Sequence, residues 1–230
     1  MTNTTSPQIR APNEELENKL KSSDEDRWLA SRYAPKSKRA ILVAFYSLVH
    51  ELERALGVSE PMLGRIRVQW WREVLDQIFS GSVVRSHDLA LALKDEFCDM
   101  PDMQPMVDGL LNAYDDVLDG IENADKPPRM ETGAWIALCA AKILRLEIEP
   151  YQDAIAACGR GYVSARIGSP CAAPRLEAVQ QAFPTIPPEF GGAVLYVATM
   201  PAYMTGKGIS PLGRRWSIFK AMASGKISKV

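Results

Sequence analysis

Residues 41–56 read ILVAFYSLVHELERAL, and Ile41, Phe45, Leu48, Leu52 and Leu56 recur at steps of three and four. That is the repeat of one face of an α-helix. The same repeat returns near 60–79, 87–98, 104–120, 131–147, 151–166, 172–182, 189–204 and 211–224. No run alternates with period two for long enough to compete as a strand. Proline and glycine mark the breaks: Gly57, Gly81, Pro101, Pro105, Pro127, Pro128, Pro150, Gly168, Pro170, Pro187, Pro188 and Pro211. A chain patterned in this way is expected to fold as one all-α bundle of about eight to ten helices.

Composition narrows the function classes. The 230 residues are 47% hydrophobic and 24% charged, the profile of a globular domain with a substantial core. Net charge is −1 and no basic tract occurs, so nucleic acid is not an expected partner. Residues 1–23 are polar and aperiodic and read as a mobile tail ahead of a helical domain over 24–230. They lack the basic start and apolar run of a secretory signal. The longest uncharged run, FGGAVLYVATMPAYMTG at 190–206, is short for a membrane span and contains Gly191, Gly192 and Pro201. It reads as a buried helix. Cys98, Cys139, Cys158 and Cys171 form no CxxC pair and no zinc spacing, which points to free, mostly buried thiols in a reducing compartment. With His50 and His87 as the only histidines, a histidine metal site or a Ser-His-Asp triad has little to be built from.

The most conspicuous acidic pattern is YDDVLDG at 114–120, with Asp115, Asp116 and Asp119 spaced as a magnesium–diphosphate site would need. On a helical wheel, Met106, Leu110, Ala113 and Val117 define one face, and Asp115 and Asp119 fall opposite, with Asp116 on the far flank. The pattern therefore reads as a solvated face. On 60–79, Leu63, Ile66, Trp70, Val74 and Ile78 form an apolar stripe expected to face the core, and Ser59 is a candidate N-cap. Arg67 lies on the Leu63–Trp70 side. Arg67, Trp70 and Trp71 are candidate contacts for a ligand or a partner. Residues 190–230 hold six cations and no acid. There Arg214, Arg215 and Trp216, with Phe219 and Met222, either dock a terminal helix on the bundle or rest on an anionic membrane surface.

DRWLASRYAP at 26–35, RYAPKSKRAILVAFYSLVHELE at 32–53 and SEPMLGRIRVQWWREVLDQIFSG at 59–81 resemble the squalene/phytoene synthase family. The resemblance implies an isoprenoid-synthase-like helical bundle, trimmed relative to the full family fold. Family enzymes join two prenyl diphosphates head to head, holding magnesium and diphosphate between two aspartate-rich motifs on facing helices. In the register set by Phe45-Tyr46, the first motif falls on Glu53, Arg54 and Gly57, and Glu53 alone keeps a carboxylate. CGRGYVSARIGSP at 158–170 resembles the start of the helix that should carry the second motif. After Asp153, however, the only acids are Glu177 and Glu189. VSEPMLGRIRVQWW is most similar to the branch that includes assembly factors of mitochondrial respiratory complex I. The resemblance therefore implies a non-catalytic protein with no cofactor, acting on a protein partner such as a membrane complex. Its expected place is the bacterial cytoplasm, the inner face of the cytoplasmic membrane or, in a eukaryote, the mitochondrial matrix. The rival readings are a magnesium-dependent prenyltransferase using Glu53 and the Asp115–Asp119 group, and a prenyl-lipid binder without chemistry.

Overall fold

The computed structural model describes residues 13–120, 127–144, 147–206 and 208–228. Among these the fold is all-α, without strands. The periodic segments become α3 (Lys36–Leu56), α4 (Pro61–Phe79), α5 (Asp88–Phe97), α6 (Gln104–Leu118), α7 (Pro128–Ile143), α8 (Gln152–Arg166), α9 (Ala172–Ala182) and α12 (Pro211–Ser224). Two shorter helices precede them, α1 (Glu14–Ser23) and α2 (Glu25–Ser31). The expectation of a mobile tail is thus corrected over 14–23, while residues 1–12 lie outside the described residues. Three acids in the first turn and an Asn13 side chain accepting from the amides of Glu15 and Leu16 start α1. Leu16 and Leu20 then pin it to the core.

α3 is buried all round from Ile41 to Val49, as a helix at the centre of a bundle must be. It is flanked by α1, α2, α4, α5 and α7, and α6 joins α4 to α7. α4 begins with Pro61 at its first position, and Glu60, not Ser59, is its cap residue. The stripe expected to face inward divides. Val74 and Ile78 are buried with Val68, Trp71 and Leu75, but Leu63 and Ile66 are exposed.

The segment expected to form one helix over 189–204 is broken. α10 (Gly191–Val194) and α11 (Met200–Met204) alternate with 3-10 turns at Pro188–Phe190 and Leu195–Thr199. The Tyr46 hydroxyl donates at 2.7 Å to the Gly192 carbonyl, which a continuing helix would offer to the amide of Tyr196. Pro201 has no amide to give. All residues from Phe190 to Met200 are nonetheless buried. Among the described residues no helix is long and apolar enough to cross a membrane. Of the four free thiols only Cys139 and Cys158 are buried, and burial pushes the Cys158 thiol up to about 12.

α7 and α8 approach closely at Gly133 and Gly159. A Cβ on Gly133 would collide with the Gly159 carbonyl, and one on Gly159 with the Gly133 carbonyl. Alanine in a helix is favoured over glycine by about 1 kcal/mol. Overpacking costs about 1–3 kcal/mol, and here the obstacle is backbone that cannot rotate away. Gly159→Ala should therefore lower the urea midpoint, and Gly159→Leu should lower it further. A rise with alanine would show that the two helices can separate freely.

Candidate functional site

α2 is a seven-residue helix that buries two charged residues, Asp26 and Arg27, beside Leu29, Ala30 and Ser31. Asp24 caps it, accepting from the Arg27 amide at 3.2 Å. The same carboxylate takes the Arg27 Nη1 at 2.8 Å and the Arg166 Nη1 at 2.9 Å. Arg27, only 1% exposed, also donates to Glu53 at 3.0 Å. Arg166 stands 3.8 Å from the other Glu53 oxygen. Glu53 is therefore held between two guanidinium groups. Burial alone would raise the Asp24 carboxyl, but Arg27 and Arg166 outweigh it and hold the group below the usual carboxylate range. Burial would likewise strip charge from Arg27, yet Glu53 and Asp24 push it well above its ordinary value.

Asp26, two residues on, gathers side chains from the C-terminal half. Its Oδ2 accepts from the Tyr203 hydroxyl at 2.6 Å and from the Tyr162 hydroxyl at 2.9 Å. Thr199 Oγ1 lies 3.0 Å from that oxygen and 2.7 Å from the Tyr196 carbonyl, and its one proton serves one or the other. Arg214 Nε sits 2.5 Å from Asp26 Oδ1, an ion pair without hydrogen-bond alignment, and its Nη1 reaches Glu25 at 2.5 Å. Tyr46, Tyr162 and Tyr196 fill the space around the charges, with Tyr162 and Tyr196 ring centres 4.6 Å apart. Burial, then Asp26, pushes the Tyr203 hydroxyl up to about 12 and raises Tyr162 well above its ordinary value, so both stay protonated donors at neutral pH.

Of the residues singled out in the sequence, Glu53 and Arg214 enter this cluster. Asp24, Asp26, Arg27, Tyr162, Arg166 and Tyr203 were not foreseen. The signal available was the run Asp24-Glu25-Asp26-Arg27, too charged to be read as core.

The Asp115–Asp119 group lies elsewhere. α6 packs on Val107, Leu110, Leu111, Ala113 and Tyr114, so the expected Leu110 and Ala113 are buried but the face is turned from the one the wheel centred on Met106 and Val117. Asp115 and Asp119 consequently flank the packed face beside α4, instead of opposing it. Arg72 takes Asp115 at 2.7 Å and Arg65 takes Asp119 at 2.7 Å, while Asp116 is exposed. Among the described residues no three of His, Cys, Asp and Glu are placed to hold a metal ion.

Trp70, Trp71 and Arg67 do converge, with Arg54 and His87, on a surface cleft of about 330 Å³. His87 stands edge-on to both indoles, at 5.3 Å and 5.4 Å between ring centres. Trp71 is buried core and Trp70 half-buried. On α12, Ile218 and Ala221 are buried, while Trp216, Phe219 and Met222 are exposed, so the apolar residues expected to dock the helix point outward. Arg215 is exposed, 3.9 Å from Glu25.

With this geometry in hand, the family relation can be placed. Residues 20–114 match the model of the squalene/phytoene synthase family, so the protein is squalene/phytoene synthase-like and its all-α bundle isoprenoid-synthase-like. The matched segment runs from the end of α1 to Tyr114 and includes Asp24, Arg27 and Glu53. No curated protein and no solved structure matches the chain.

Asp24 has a native pKa below its unfolded value of about 3.9, so its contribution is present above that pH and is lost as pH falls through the native value. Asp24→Asn should cost about 3–5 kcal/mol at pH 6, because it leaves Arg27 short of a buried partner. The gap from wild type should narrow toward pH 3 in urea titrations. A gap that is constant with pH would mean Asp24 is not held charged by the two arginines.

Proposed function

We propose that this squalene/phytoene synthase-like protein works through protein contacts and not by prenyl transfer, as an accessory or assembly protein of a membrane complex such as a respiratory one. The observation that carries the reading is the placement of Arg27 against Glu53. A carboxylate that serves magnesium must turn its oxygens to the ion. Here both Glu53 oxygens face guanidinium groups, Arg27 at 3.0 Å and Arg166 at 3.8 Å. Near a protein surface, two unit charges of like sign 4 Å apart repel by about 4 kcal/mol, and a dication doubles that.

Two further features support it. α8, which resembles the helix of the second carboxylate motif, turns Tyr162 and Arg166 toward the same centre, a hydroxyl and a cation where acids would be needed. The first turns of α4 expose Met62, Leu63 and Ile66 next to Arg67 and Trp70, an apolar contact surface with a basic rim. The link to a respiratory complex rests on the likeness of VSEPMLGRIRVQWW to the assembly-factor branch.

The test is incubation with radiolabelled farnesyl diphosphate, magnesium and NADPH, scoring apolar product. The expected result is no product above a protein-free control. Product that disappears with Glu53→Ala would overturn the proposal and restore prenyl transfer.

A further inference from the structure

The outward face of α12 has no role in the bundle. Ser210 caps the helix through the Gly213 amide, and Gly225 ends it in the left-handed conformation at φ 63°. Its inward side is set by Arg214, Ile218 and Ala221. At about 100° per residue, Leu212, Trp216 and Phe219 share the opposite side. They are 77%, 60% and 52% exposed. The Trp216 and Phe219 rings stack at 5.8 Å, giving one continuous apolar ridge. Arg215 falls on one flank of that ridge and Lys220 on the other, both exposed.

We propose that α12 is an interfacial helix that rests on an anionic lipid surface. The ridge and its flanks have the arrangement such a helix needs. Indole and phenyl rings enter the headgroup–acyl boundary, and a long cationic side chain on each side reaches back to the lipid phosphates. Charge selects the occupant. Residues 190–230 carry six cations and no acid on a chain whose net charge is −1, so positive charge is concentrated in the part of the sequence that bears the ridge. A negatively charged lipid surface attracts juxtaposed Lys and Arg, by about a factor of five in partitioning for each. The inference uses a surface distinct from the Glu53 region and holds whether or not the chain transfers prenyl groups.

The test is co-sedimentation of the full chain with vesicles of phosphatidylcholine alone and with about 30% phosphatidylglycerol added, at about 0.1 M and 0.5 M salt. Binding should require the anionic lipid and weaken at the higher salt. Trp216→Ser with Phe219→Ser should lower partitioning by about tenfold or more, and Lys220→Gln by about fivefold. All three side chains are exposed, so the variants should unfold at the wild-type urea midpoint. If the double variant fails to fold, Lys220→Gln alone decides. Binding that ignores lipid charge, or is unchanged by the variants, would overturn the proposal. So would absence of vesicle binding together with self-association that the variants abolish, which would assign the ridge to a second copy of the chain.

Discussion

A guanidinium that is 1% exposed can be held only where carboxylates surround it, and Arg27 sets that condition for the whole bundle. Its counter-charges come from the cap of α2 and from α3, and Asp24 shares its own charge with Arg166 on α8. Asp26, on the same short helix, draws in Tyr162, Tyr203 and Arg214 from 136, 177 and 188 positions further along the chain. Seven residues of α2 therefore join the segment that matches the family to the half that does not. Apolar contacts alone would tolerate small slides of helix against helix. Directional, charge-assisted bonds in a low-dielectric interior do not.

The same arrangement bears on chemistry. An active site of the family's type needs carboxylates that are charged, open and turned toward a shared space. The acids here are not open: Glu53 lies between Arg27 and Arg166, and Asp26 is filled by hydroxyl donors and Arg214. Tyrosine rings occupy the ground between them. Asp115 and Asp119 are engaged by Arg72 and Arg65 across the α4 seam, while Asp116 is exposed. What the ion pairs hold in place is the packing of helices.

Much of this was legible wherever the apolar period was strong and its ends were punctuated. α9 and α12 fall where period, proline and glycine put them, and α4 is off by one residue at its cap. α3 starts earlier than its apolar run because Lys36-Ser37-Lys38-Arg39 forms helix without any apolar signal, Pro35 having set the boundary. α1 was missed because two leucines among polar residues make too narrow a stripe to register. The break inside 189–204 depends on a tyrosine hydroxyl 146 residues away, and no local pattern can report it. The polar centre was hidden for the same reason. It unites residues far apart in sequence, and of its carboxylates only Glu53 was reached, through family register. On α6 the error was one of rotation: Tyr114 and Leu111, placed at the edge of the face, are at its middle.

The polar centre also determines what the molecule shows outside. Arg214 and Trp216 lie almost opposite one another around α12. Turning the helix so that Trp216 and Phe219 were buried would carry Arg214 out to solvent and leave Asp26, 2% exposed, without its cation. Burial of two aromatic side chains is worth about 1.5–3 kcal/mol each. A buried carboxylate stripped of its partner costs about 3–5 kcal/mol, and Glu25 would lose the same guanidinium. The two quantities are close enough that the apolar term alone does not rotate the helix, and the ion pairs are already formed. The exposed ridge is thus a consequence of the buried charges: the residues that close the interior of this bundle are the ones that fix which face of its last helix meets the surroundings.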